Sequence, residues 1–264
     1  MKASSVIEVI SAAHLSRYVN SNVFQQRGGI FLVAPPGMLK STLIKNSLIC
    51  YPDALRLSDL NVQSLNYIKS SFIDGKYSTL AFGEFEKIYM RNPATASNLE
   101  GHLKAMVEEG FGKQSFEDQR ATTFESRLLL VGGITPGCHQ KMMTRWMADG
   151  FARRFLWCFY TLDDPSAIVD SIHKWKSLDF GKSVKEMPNN GTIPYSVTPK
   201  ESSHIRTLIG YQPAMETTYV LMKKICCVLK WRHRSGKKAM EILEDFAECL
   251  GEKPARLVLG KVKK

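Results

Sequence analysis

No apolar run in this chain approaches the roughly 18 residues that a membrane-spanning helix requires. The first 20 residues also lack a secretory profile, because Glu8 and His14 interrupt what would have to be a continuous apolar stretch. Cysteine is sparse: there are six, with no CxxC pair and with Cys226 and Cys227 adjacent. Neither a disulfide scaffold nor a zinc knuckle nor a redox motif is spelled out. These absences lead us to expect a reducing, cytoplasmic location and no membrane partner. Internal repeats and low-complexity tracts are missing too, and an apolar fraction of 44% with 23% charged residues excludes disordered and fibrous chains. Acidic residues are the scarcer charge, 25 against 36 Lys and Arg, for a net +11 over 264 residues. The last 64 residues hold 13 basic and 7 acidic side chains, so much of the surplus is concentrated there. That asymmetry favours a polyanionic partner, since each phosphate contact releases condensed counterions.

What is present alternates between two kinds of segment. Gly29-Ile30-Phe31-Leu32-Val33, Ala54 to Leu57, Tyr77 to Phe82, Arg127 to Gly132 and Phe155 to Tyr160 are short apolar runs of the kind found in buried parallel strands. Between them, Ser41 to Cys50, Val62 to Phe72 and Ala94 to Glu109 have helical character. Strands alternating with helices predict an α/β fold with a parallel sheet. Residues 179–200 are rich in Gly, Pro, Asn and Ser and read as a linker, after which Glu201 to Gly210, Met215 to Trp231 and Ala239 to Leu250 read as helices. The expected organisation is a polar, partly helical lead-in without a clear core face over 1–27, an α/β core over 28–178, the linker over 179–200 and a small, basic helical lid over 201–264.

The sharpest signal is Ala34-Pro35-Pro36-Gly37-Met38-Leu39-Lys40-Ser41-Thr42, directly between a buried strand and a helix. A phosphate loop needs inward backbone N–H groups and a helix N-terminus aimed at the phosphates. It also needs a lysine for the β and γ oxygens and a hydroxyl for Mg²⁺. Residues 36–42 are the candidate nucleotide-binding set, with Lys40 and Ser41 in the last two roles. The segment resembles the Walker A motif of P-loop nucleoside triphosphatases, and ATP and Mg²⁺ are the cofactors that resemblance implies. It departs from the strict form at both outer glycines, which are Ala34 and Leu39 here. A Pro/Gly turn followed by an ordinary helix with a solvated lysine is the competing reading.

Further along, Leu80-Ala81-Phe82-Gly83-Glu84-Phe85-Glu86 resembles a Walker B strand without its usual Asp-Glu pair. In one register Gly83 occupies the aspartate position and Glu84 the catalytic one; in the other Glu84 supports the metal and Glu86 polarises water. Leu128 to Pro136 resembles the sensor 1 strand of AAA+ ATPases, with Thr135 as its polar residue. That strand is expected to lie between the Walker A and Walker B strands. Gly150-Phe151-Ala152-Arg153-Arg154-Phe155 resembles the segment that carries an arginine finger into a neighbouring subunit, with Arg153 or Arg154 in that role. Taken together, residues 25–165 resemble an AAA+ core, most like the ATPases of phages and mobile elements.

The resemblance implies a homo-oligomeric ATPase, in some families hexameric, acting on single- or double-stranded DNA as helicase, loader or translocase, with protein partners in some cases. A slow, ATP-dependent switch or assembly protein is the alternative, and a degenerate module that binds without hydrolysing is the third reading. Candidate DNA contacts are Lys113 and Arg120 in a loop with Phe111 and Phe116. The stretch 223–238 adds Lys230, Arg232, Arg234, Lys237 and Lys238, with seven Lys/Arg and no acid. A solvated basic helix face would carry the same letters.

Overall fold

The fold is described by a computed structural model, which covers residues 1–20, 27–61, 64–65, 68, 71–72, 74–90, 92–108, 128–162, 192–210, 215–251 and 253–258. In chain order the elements begin with α1 (Ala3–Leu15), β1 (Val19–Asn20), β2 (Gly29–Val33), α2 (Lys40–Leu48), β3 (Ala54–Leu57) and β4 (Thr79–Phe82). They continue with α3 (Pro93–Glu108), β5 (Leu129–Ile134), α4 (Pro136–Ala148) and β6 (Phe155–Thr161). After them come β7 (Ile193–Pro194), α5 (Pro199–Leu208), α6 (Met215–His233), α7 (Gly236–Ala247) and β8 (Ala255–Arg256).

Six strands form one sheet in the order β3-β4-β5-β2-β6-β8, and every pairing in it is parallel. The expected α/β class with a parallel sheet is therefore seen. The alternation of side chains along each strand explains why these runs are continuously apolar. Ile30, Leu32, Leu129, Val131, Leu156 and Cys158 face one side, where α1, α2, α6 and α7 cover them. Phe31, Val33, Leu80, Phe82, Leu130 and Trp157 face the other, under α3, α4 and the buried Leu60, Leu65 and Phe72. Phe31 anchors that second layer, stacked on Trp157 at 4.9 Å and edge-on to Phe85 and Phe155.

Two expectations change. The stretch 1–27 is partly helical as expected, but it does not lack a core face: Ala3–Leu15 is a helix whose Val6, Ile7, Val9, Ile10 and Leu15 are fully buried. Each such side chain contributes about 1.5–3 kcal/mol. Ala3, Ser5, Ser11, Ala12 and Ala13 are buried as well, and only Ser4 and Glu8 are partly exposed, so it has almost no polar face for periodicity to reveal. The C-terminal helices, expected as a separate lid, show no core of their own among the described residues. Ile225, Val228, Leu243 and Phe246 lie in the same cluster as Ile7, Ile10, Leu43 and the sheet's Ile30. Within the expected linker, Ile193–Pro194 forms a two-residue strand paired in parallel with β1.

Candidate functional site

The chain leaves β2 along one face of the sheet through α2 and reaches β3 at the edge. It returns through β4 and β5, then crosses β2 on the opposite face through α4 to reach β6. The loops after β2 and β5 thus part in opposite directions at the carboxyl edge, the arrangement that opens a crevice in parallel sheets. A cleft of about 300 Å³ lies there, lined by residues 36–42, Gly83, Glu84, Glu86 and Thr135. All seven residues expected to hold nucleotide, and three of the five expected catalytic ones, meet in it.

The loop is shaped by its ends. Gly37 has φ 79° and Leu39 φ 60°, so Leu39 takes the left-handed conformation that a glycine would occupy at no steric cost. It sits at the N-cap of α2, and the Leu43 amide donates to its carbonyl at 2.9 Å. The Tyr160 hydroxyl of β6 donates to the Met38 carbonyl at 2.7 Å and ties the loop to the sheet. Lys40 folds back, its Nζ donating to the carbonyls of Ala34 at 2.6 Å and Pro35 at 2.9 Å. The side chain is only 8% exposed, and burial lowers its pKa while Glu86 and Glu84 act to raise it.

Ser41 Oγ donates to the Gly83 carbonyl at 3.2 Å. A Cβ at Gly83 would lie 2.7 Å from that same Oγ, so it is position 83 that faces the α2 hydroxyl. Gly133 is required beside it, since a Cβ there would meet the Gly83 carbonyl at 2.4 Å and Lys40 Cβ at 3.1 Å. The two glutamates then diverge. Glu84 is 54% exposed and pairs with Lys87 at 2.8 Å. Glu86 turns inward, and its Oε2 accepts the Thr135 backbone N–H at 2.7 Å. Thr135 lines the cleft, but its hydroxyl caps α4 by accepting the Cys138 N–H.

The remaining candidates separate by burial. Arg154 is 4% exposed and donates to the Gly150 carbonyl of its own chain, whereas Arg153 is exposed. Both precede β6, whose Phe155 pairs with Gly29, so they stand at the amino edge of the sheet. Strand geometry separates that edge from the loop by about 13 Å. Lys230 is committed internally, donating to the Ser196 carbonyl at 2.6 Å and to both oxygens of Glu201 at 3.0 Å. Arg232 also turns inward, toward Ser11 Oγ at 2.9 Å and Tyr51. Arg234 and Lys237 are exposed, and Lys238 is exposed but paired with Glu241 at 3.3 Å. Lys113 and Arg120 lie outside the described residues.

One polar constellation escaped the sequence reading. His14 Nδ1 lies 2.8 Å from Thr79 Oγ1, and its Nε2 3.3 Å from Asp53 Oδ1. This has the connectivity of a hydroxyl–imidazole–carboxylate triad, yet His14, on the buried side of α1, and Thr79, which it meets, are wholly buried. Arg17 and Ser78 also donate to Asp53, and Arg27 donates to the carbonyls of Ser78 at 2.9 Å and His14 at 3.0 Å. The cluster ties α1 to the amino ends of three strands. Its members are spread over 65 positions, and no local pattern connects them.

No protein-family model matches the chain, and a comparison with curated proteins gives no match. Fold and site together define a class: an α/β chain with a six-stranded parallel sheet and a cleft lined by lysine and carboxylates at its carboxyl edge. No helix among the described residues is long and apolar enough to cross a membrane.

Proposed function

We propose that the 34–42 loop binds the phosphates of ATP and that the chain hydrolyses ATP as a homo-oligomer acting on DNA. The observation that carries the reading is Lys40, a nearly buried residue whose ammonium, among the described residues, donates to two loop carbonyls at the N-terminus of α2. Triphosphate oxygens replace such partners with charge-assisted ones, and the helix terminus favours the same negative charge. The position of β5 between β2 and β4 supports the reading as well, because the AAA+ resemblance implies that order.

The residues fit Mg²⁺ in the limited way such sites do. Among the described residues no three His, Cys, Asp or Glu side chains cluster as a protein-only cage. Ser41 offers one hydroxyl oxygen in a cleft that also holds Glu84 and Glu86. Mg²⁺ takes few protein ligands beside substrate phosphates and water, so Ser41 would be the direct ligand and Glu84 would support the hydration shell. When bound, the ion neutralises charge on the phosphates. Glu86, aimed inward by the Thr135 N–H, orients the attacking water, and Lys40 holds the β and γ oxygens. Arg153 is too far along the sheet to serve its own loop, so it serves a neighbouring copy, in a ring of the size such ATPases form.

A specific observation favours the slower alternative, a nucleotide-dependent switch that assembles on a nucleic-acid or protein partner. Gly83 stands where a carboxylate would face Ser41, and Ser41 rests on its carbonyl instead. One experiment tests both readings: ATP turnover with and without single- and double-stranded DNA, for wild type and Lys40→Ala, with mass measured in ATP. We expect DNA-stimulated turnover, lost in Lys40→Ala, from an oligomer. Turnover below about one per minute from an assembling chain selects the switch, being far under the usual enzyme range. Wild-type hydrolysis by Lys40→Ala refutes the site.

A further inference from the structure

A second cleft, about 430 Å³, opens on the other side of Ser41 and Gly83, between α2 and the β3–β4 edge of the sheet. Its walls combine two characters. Ile44 and Ala81, both almost fully buried, close it from beneath, and Lys45, Arg56 and Lys87 supply cationic sides. Ser41, Ile44 and Lys45 share one helix face by their spacing of three and four. Arg56 and Leu57 come from the end of β3. Lys87 is occupied by Glu84 at 2.8 Å, so those two charges cancel. Lys45 and Arg56 are exposed at the rim, with no ion-pair partner among the described residues. The cleft therefore keeps two unneutralised cations above an apolar surface. An anion with a flat or apolar body satisfies both features, and a phosphate ester of nucleotide size matches the volume better than a bare inorganic ion.

The geometry points to this cleft as a second binding site for a nucleotide phosphoester, with its phosphate on Lys45 and Arg56 and its base and sugar in the cleft over Ile44 and Ala81. The same chemistry is offered by a free mononucleotide and by one unit of a DNA strand. The site shares Ser41, Gly83 and Glu84 with the loop cleft. A ligand there presses on the Ser41 hydroxyl, which fills the space that a side chain at Gly83 would take between the two clefts. The existence of the site does not require that the loop bind ATP; only the communication between the clefts rests on that reading.

The test uses the full chain carrying Lys40→Ala, so that binding at the loop does not mask the second cleft. Equilibrium dialysis is run with labelled dAMP and, separately, with a 5′-phosphorylated thymidine decamer at several salt concentrations. We expect at least one probe to bind Lys40→Ala. Adding Lys45→Gln and Arg56→Gln should weaken it at least tenfold without changing the melting temperature, because both side chains are exposed. For the decamer, the slope of log affinity against log salt should flatten by about 0.7 for each phosphate contact removed. Binding of dAMP identifies a free-nucleotide pocket, and binding of the decamer alone identifies a strand contact; both support the site. The proposal is overturned if neither probe binds Lys40→Ala, or if the added substitutions leave affinity unchanged. Probe binding that depends on Lys45 and Arg56 in a chain that never binds ATP would defeat the reading of the loop and leave this site standing.

Discussion

At the amino edge of the sheet, Asp53 accepts from Arg17 and Ser78 and faces His14, while Arg27 is spent on two backbone carbonyls. At the carboxyl edge, Lys40 donates to loop carbonyls, Glu86 accepts a backbone N–H, and Lys45 and Arg56 stand at an open rim. Both edges carry carboxylates, cations and hydroxyls in similar variety. The difference is what each group has for a partner. The amino-edge cluster lies under α1, so every charge there needs an internal counterpart or a costly desolvation goes uncompensated. The carboxyl edge lies where the β2 and β5 loops part, and on the proposed reading its groups are left to an external ligand. Type of residue does not separate structure from chemistry in this chain; coverage does.

Arg153 crosses that division and gives the largest expected effect. It stands at the sealed edge but faces outward, whereas Arg154 beside it is buried on the Gly150 carbonyl. If Arg153 reaches a neighbour's loop, Arg153→Ala should lower hydrolysis by about a thousandfold, as fingers do where they operate. Mixing that variant with Lys40→Ala should then restore part of the activity, since an intact loop meets an intact arginine in mixed assemblies. Arg154→Ala should instead lower stability, because it empties a buried site. Recovery no greater than dilution, from a chain that stays monomeric in ATP, would place Arg153 outside the chemistry.

The second prediction tests how firmly the amino edge is sealed. Asp53→Asn keeps the shape but removes the one anion facing Arg17, Arg27 and His14, and should cost about 3 kcal/mol at pH 7. The pH dependence fixes the cause. His14 and Ser78 hydrogen bonds and the nearby Arg17 hold the Asp53 carboxyl well below its usual range, although burial alone would raise it. A depressed carboxylate contributes fully above its unfolded value of about 3.9, and its contribution fades as pH falls further. The gap in urea midpoint between wild type and Asp53→Asn should therefore be constant from pH 7 to about 5 and narrow below 4. Burial lowers the pKa of His14, so acid also destabilises both proteins as pH falls below about 6.5, where the unfolded imidazole takes its proton first. A gap that ignores pH would show Asp53 acting through packing.

How much of this was legible in the sequence follows the same line of coverage. Gly29–Val33 and Ala54–Leu57 lie where their apolar runs end, and α3 falls within one residue of its predicted span. Such elements are bounded by local signals: glycine, proline and a change of hydropathy. The loop was legible for the same reason, being a strand, a turn and a helix in immediate succession. The burial of α1 was not, because a helix with only Ser4 and Glu8 partly exposed has almost no polar stripe to set off a core face. The divergence of Glu84 and Glu86 was also hidden. Two carboxylates two positions apart read as equivalent until Lys87 draws one outward and the Thr135 amide draws the other in. The basic stretch 223–238 misled most, since Lys230 and Arg232 are used by α5 and α1. Charge counts along a helix do not say which face it buries.

The smallest expected effect concerns Leu39, the one place where the open edge is itself strained. Its φ of 60° costs a non-glycine residue about 1–2 kcal/mol, and its side chain offsets part of that by packing against the core beside α2. Leu39→Ala removes the packing and keeps the strain, so it should destabilise by about 1 kcal/mol. Leu39→Gly removes both, but its extra freedom in the unfolded chain takes back about 0.4–1 kcal/mol. The glycine variant should therefore melt above the alanine variant by about 0.5 kcal/mol, the reverse of the order at an ordinary helical position, where glycine is the worse by about 1 kcal/mol. If the loop holds phosphate, Leu39→Gly should also bind ATP at least as tightly as wild type, since the left-handed backbone is then adopted without cost. An alanine variant as stable as the glycine one would mean that the loop relaxes away from φ 60° when the side chain is cut back.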